Sequence, residues 1–221
     1  MMSEMPANRP GAGRPTREQA EARHAELLDS ALDMFLDRGF ELTTMEGVAA
    51  AVGMTKRTVY ARYTGKAALF RGTVQRAIER TMVAHERLEA LDQDDLEETL
   101  KAVAHLRVAN VMTPEGLKLQ RIINTESYRF PDIFNMSFTQ TGQPVIDFLA
   151  RLLRRHNDTG AIRVERPDMA ANVFMSMVVS GPVRIIVSGN QLSQSEIDDR
   201  IDFAVRLFLN GARQRDNKGE T

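Results

Sequence analysis

Apolar residues recur at helical spacing through almost the whole chain. Leu27, Leu28, Ala31, Leu32, Phe35 and Leu36 lie one, three and four positions apart, which gathers them on one face of a 3.6-residue helix. Thr16 with Gln19 three residues later forms a capping box that opens this helix, and Gly39 closes it. Thr43 with Glu46 repeats the capping pattern ahead of a helix of barely two turns, with Met45, Val48, Ala49 and Val52 inward and Gly53 at its end. Thr55 is an N-cap for a third short helix over 56–63. Three helices, the last two short and joined at Gly53 and Met54, predict a helix-turn-helix unit.

The helical period continues to the end, with helices predicted near 66–91, 96–111, 114–129, 131–155, 167–188 and 194–211. Pro114, Pro131 and Pro167 suit first helical positions, Ser193 with Glu196 makes another capping box, and Gly181 with Pro182 interrupts the penultimate helix. Period-two alternation is limited to 161–164. The predicted fold class is therefore all-α. A Pro-, Gly- and Ala-rich basic arm, read as flexible, occupies 1–13, an N-terminal three-helix helix-turn-helix domain 14–66, a larger helical domain 67–212 and a polar tail 213–221.

Composition narrows the function. A chain of 221 residues with 43% hydrophobic and 27% charged residues is that of a folded globular protein, which excludes disorder throughout. Zero cysteines exclude disulfides, thiolate zinc sites and a cysteine nucleophile. With no run of about 18 apolar residues and no secretory leader pattern, no membrane partner is expected and the default location is cytoplasmic. The four histidines form no HExxH pair, and neither a Gly-rich phosphate loop nor a GxSxG elbow is present. No catalytic residue, metal or cofactor is expected, and a helical enzyme is a remote alternative. The single acid–base or metal site the sequence lets one build joins His85 and His105 to Glu89.

Charge gives little away until it is read by position. Lysine and arginine total 29 against 30 acids, yet 55–80 holds seven basic residues and one acid, a net of +6, while 81–101 holds two and seven, a net of −5. A compact basic stretch is an electrostatic footprint for nucleic acid. Within it, Val59 and Tyr63 share the inward face of the third helix and leave Lys56, Arg57, Tyr60 and Ala61 outward. A helix fits the major groove, where Arg or Lys donates to guanine and a small apolar group touches the thymine methyl. Thr44, Thr55, Tyr60 and Lys66 carry donors for phosphate oxygens.

The run 13–70, with GRPTREQ and ALDMFLDRGFELTTMEGVAAAVGMTKRTVYARYTGKAALF, resembles the DNA-binding domain of the tetracycline-repressor (TetR) family of transcriptional regulators. Its marks are Phe35, Gly39-Phe40, Thr43-Thr44, Ala49, Gly53, Val59-Tyr60, Tyr63, Lys66 and Leu69-Phe70. The resemblance implies phosphate contacts at Thr44, Thr55, Tyr60 and Lys66 and base-facing roles for Lys56, Arg57, Ala61 and Arg62. Ala61 departs from the aromatic of many relatives, and Gly65 from their Ser or Asn. Arg9 and Arg14 of the arm suit a minor-groove contact.

The second half more weakly resembles the AefR-like subgroup, in Phe130-Pro131-Asp132 and the turn over 160–167. The family resemblance implies ligand binding and dimerisation there. Val173, Phe174, Met177, Val178, Val183, Ile186 and Val187, with the stripe Ile201, Ala204, Val205, Phe208 and Leu209, make the last two long helices the expected homodimer interface; the same residues would equally fill one chain's own core. Met112, Tyr128, Phe130, Phe134, Phe138, Phe174 and Met177 form an aromatic and methionine-rich group suited to a small hydrophobic effector, with plain core packing as the alternative. The expected function is a ligand-responsive regulator, a repressor that binds a palindromic double-stranded DNA operator as a homodimer. A DNA-binding architectural or division-control protein of the same fold without an inducer is the alternative.

Overall fold

The computed structural model describes residues 16–190 and 192–212. The arm with Arg9 and Arg14, and the polar tail, lie outside the described residues. All regular structure among the described residues is helical; 161–164, the candidate strand, is irregular backbone between two helices. The chain divides into two compact units between Thr73 and Val74.

The first unit contains α1 (Arg17–Leu42), α2 (Met45–Ala51), α3 (Lys56–Tyr60) and the start of α4 (Lys66–Thr81). Helix α1 opens on the Thr16–Gln19 capping box, with both reciprocal bonds formed. Its regular part ends at Gly39, whose φ of 77° interrupts the helical dihedrals. Thr43 does not cap α2. Its hydroxyl instead donates back to the Met34 and Gly39 carbonyls and closes α1, while Thr44 caps α2 by accepting from the Gly47 N–H at 3.0 Å. Adjacent threonines offer the same chemistry, and the orphan carbonyls behind Gly39 decide which way Thr43 turns. Leu27, Leu28, Ala31, Leu32 and Phe35 pack inward with Val48, Ala49, Val59, Leu69 and Phe70. Phe70 meets the edges of Phe35 and Phe40 at 5.0 and 5.5 Å.

The second unit continues α4 and adds α5 (His85–Glu89), α6 (Leu96–Val111), α7 (Pro114–Glu126), α8 (Pro131–Ser137), a π-helical turn (Phe138–Gly142), α9 (Gln143–Asp158), α10 (Pro167–Val187) and α11 (Gln194–Ala212). The predicted helix over 66–91 is two helices separated at 82–84, and that over 131–155 is broken by the π turn. Helix α10 runs through Gly181 and Pro182, so the expected interruption there is not made. Its neighbours are α6, α7, α9 and α11. By length and composition alone α10 is apolar enough to cross a membrane, with mean hydropathy 1.5 over 20 residues, contrary to the sequence expectation. One third of that window is buried within the chain.

Candidate nucleic-acid interface and effector region

Helix α3 is positioned by one side chain. Val59 is its buried residue, while Lys56, Arg57, Tyr60 and, just beyond it, Ala61 and Arg62 are exposed. The turn before it needs Gly53, whose φ of 61° lets the Met54 N–H reach the Ala49 carbonyl at 2.8 Å. Thr55 caps α3 by accepting from the Thr58 N–H at 3.2 Å. The helix is shorter than predicted, so Ala61 is its C-cap and Arg62 follows it. Behind α3 the Tyr63 hydroxyl lies 2.7 Å from His24 Nε2 with the two rings stacked. Burial raises the Tyr63 pKa, which keeps the phenol neutral.

The outward side chains are already organised. The Lys56 ammonium lies 2.5 Å from Glu46 on α2 and 5.3 Å from the centre of the Tyr60 ring. Lys56 holds the Glu46 carboxyl below its usual range, with help from its own backbone N–H and the Tyr60 hydroxyl. Glu46 in turn raises the Lys56 pKa. Glu46 thus joins the candidate site as a residue that sequence reasoning had assigned only to capping. Lys66 is half-buried, donates to the Glu41 carbonyl at 2.9 Å and sits over the Phe40 ring. An ammonium has three donors, so this bond leaves capacity for a phosphate. Arg62 does not join Lys56 and Tyr60 in this cluster. It lines a cleft with Arg23, His24, Gly53, Thr55 and Thr58, beside the start of α3.

The seven residues expected to line an effector pocket do not converge on one cavity. Tyr128 is fully exposed, Phe134 is half exposed and stacked on Phe138, and Phe130 and Phe174 are buried, Phe174 against Phe208. Met112 is half-buried against the core, and Met177 lines open grooves on α10 and α11. Tyr128 falls in the turn after α7 and Phe134 on an outward position of α8. Clustering in sequence did not fix direction.

The expected interface is also redistributed. Ile201, Ala204, Val205 and Leu209 are buried in the chain's own core with Phe174 and Val178. The apolar residues left uncovered are Met169 and Val173 on α10 and Phe203 and Leu207 on α11. Val187, also expected there, has no described side chain. The acid–base site built around Glu89 does not assemble either: His85 approaches Glu89 at 3.5 Å, but Arg151 pairs with that carboxylate, and His105 instead faces Asp198 on α11.

Sequence reasoning passed over Arg107. It is 6% exposed on α6, and its Nε and Nη1 have no hydrogen-bond partner. Burial pushes its pKa down from the ordinary arginine value. A signal was present, because 107 continues the stripe Leu100, Val103, Ala104, Val108 and Val111 at a position where the pattern asks for an apolar residue.

Fold and site together define a helix-turn-helix protein with a second, larger helical unit. The model of the tetR family of bacterial regulatory proteins matches residues 27–73, and that of the AefR-like transcriptional repressor C-terminal domain matches 98–211, over half of the chain. The chain belongs to the TetR family of transcriptional regulators. The HTH-type transcriptional repressor ComR of Escherichia coli K12 is 33% identical over 86 residues, 39% of this chain and 40% of ComR, so the match spans well under half of that relative. Among solved structures, a TetR-family regulator from Mesorhizobium loti superposes with a TM-score of 0.71 at 23% identity, over 90% of this chain and 100% of that one. The flavonoid-responsive regulator FrrA gives 0.68 at 27% identity, over 88% and 99%.

Proposed function

We propose that the chain is a repressor that binds a palindromic operator as a homodimer through α10 and α11 and is released by a small hydrophobic effector. The observation that carries the reading is α3: Val59 anchors one side, and Lys56, Arg57 and Tyr60 are presented on the exposed surface with Thr44 and Thr55 at helix N-termini beside them. Arg57 and Lys56 suit guanine edges, and the threonines, Tyr60 and Lys66 suit phosphates. The uncovered Met169, Val173, Phe203 and Leu207 favour a second copy, since a two-fold axis covers the same patch on both chains. Two recognition helices would then enter successive major grooves about 34 to 36 Å apart. FrrA is flavonoid-responsive by name, which supports a small organic effector for a chain of the same fold. Such a compound weakens operator binding only as far as it prefers the state that binds DNA poorly.

The test begins with an operator selected from a randomised duplex pool. Arg57→Ala is expected to weaken binding to it by about 1 to 3 kcal/mol, and wild-type affinity is expected to fall as salt rises. Unchanged affinity in both measurements would remove the DNA-reading role. Phe203→Glu with Leu207→Glu is expected to sediment as a monomer, where the wild type sediments as a dimer; a monomeric wild type sinks the two-fold arrangement.

A further inference from the structure

A carboxylate stands on the surface proposed for DNA. Glu46, the second residue of α2, and Lys56, the first of α3, reach across the Gly53 turn to within 2.5 Å of one another, and both side chains are more than half exposed. The Tyr60 hydroxyl also bonds the carboxylate, and the Lys56 ammonium lies 5.3 Å from the centre of the Tyr60 ring. Lys56 and Tyr60 are four residues apart, so these groups line the flank of α3 that faces α2. Thr55, Thr58 and Arg62 line the other flank, along the cleft beside α1. Lys56 keeps the Glu46 carboxyl below its usual range, so it is an anion at neutral pH. A fixed negative charge repels the phosphates of every duplex alike, which weakens binding and reads nothing. An exposed ion pair adds little stability, and an aspartate would serve the first turn of α2 as well. What glutamate adds is reach to Lys56.

Resting on the reading of α3 as the recognition helix, we propose that Glu46 is a specificity-determining residue that, together with Lys56, reads one G·C pair in the major groove. The ammonium donates to guanine O6 and N7, and the carboxylate accepts from the cytosine N4 amino group. Guanine O6 and cytosine N4 are Watson–Crick partners and lie side by side in the groove. A donor and an acceptor already joined across α2 and α3 match that edge as a unit. The ammonium has three hydrogens, so the bond to Glu46 leaves two for guanine. An A·T pair in the same orientation sets the adenine N6 donor against the ammonium and the thymine O4 acceptor against the carboxylate. The pair thus rejects the wrong base by repulsion as well as selecting the right one by attraction. Tyr60, bonded to the same carboxylate, holds it in place at the groove wall.

The experiment takes full-length wild type, Lys56→Met, Glu46→Gln and Glu46→Asp, measures affinity for the selected operator and for each of its single base-pair substitutions, and adds a random duplex as the non-specific reference. Lys56→Met is expected to relax the preference at one base pair in each half-site, where the wild type takes G·C over A·T by about tenfold or more. Glu46→Gln and Glu46→Asp are expected to lose about tenfold of the preference at that same pair and to keep the preferences elsewhere, those set by Arg57 included. Glu46→Gln should also bind the random duplex more tightly, having lost a negative charge, whereas Glu46→Asp should not. Glu46→Asp keeps the first-turn acid of α2, so it remains a folded comparison if Glu46→Gln loosens that helix. Glu46 variants that change affinity for every duplex by the same factor overturn the proposal, because the carboxylate is then a charge alone. So does a Lys56→Met protein that relaxes no position, which leaves the role of Arg57 standing. A wild type without any sequence preference removes the DNA-reading role together with this one.

Discussion

The two units use opposite strategies. In the first, the chemistry is arranged by neighbours in the chain: Thr44 and Thr55 cap the helices they precede, Gly53 makes its turn with its own dihedral, and Lys56 finds Glu46 across that turn. In the second, the deciding contacts join distant segments. Arg155 of α9 forks onto Asp92 at 2.6 and 2.7 Å, 63 residues away, and Arg151 pairs with Glu89. Arg155 holds the Asp92 carboxyl below its ordinary range. A recognition surface assembled from local signals can be specified by a short motif. What the second unit presents depends on which faces remain uncovered, and local pattern does not say.

The largest test of that contrast is Phe174→Ala. Phe174 is fully buried against Phe208, so truncation is expected to cost about 3 to 5 kcal/mol, read as a lower urea midpoint. A change near zero would restore Phe174 to the role of pocket wall. Next come two glycines that matter for different reasons. A Cβ on Gly116 would lie 2.5 Å from the Asn110 and Val111 carbonyl oxygens, so Gly116→Ala should cost about 1 to 3 kcal/mol through collision between α6 and α7. Gly53 has nothing within 4 Å, and Gly53→Ala should cost about 1 to 2 kcal/mol through its positive φ alone. If the two swapped rank, the division between packing and local dihedral would be wrong.

The smallest effect is a pH dependence. Burial lowers the His156 pKa, and its Nε2 is buried without a partner. The unfolded chain therefore binds this proton more readily, so His156 contributes stability above the ordinary histidine pKa of about 6.5 and loses it as pH falls through the lower folded value. Replacing His156 with Gln should flatten that part of the stability profile; an unchanged slope there would assign it to the carboxylates.

Much of the first unit was legible in the order of residues. Capping at Thr16 and Thr55, the turn at Gly53 and the inward Val59 all depend on interactions within a few positions, and these act on any chain that carries them. Even here Thr44 took the cap of α2 expected of Thr43, because the Thr43 hydroxyl donates back to the Gly39 carbonyl and closes α1. In the second unit periodicity named the helices and most of their buried faces correctly, since burial imposes the 3.6 period whatever covers the face. What covers each face was settled by packing: Ile201, Ala204 and Val205 turned inward, while Phe203 and Leu207 stayed uncovered. Arg107 shows the same limit from the other side. Its place on an apolar stripe is written in the sequence, but that its Nε and Nη1 find no hydrogen-bond partner among the described residues follows from the arrangement of four other helices, because such pairing depends on distance in space.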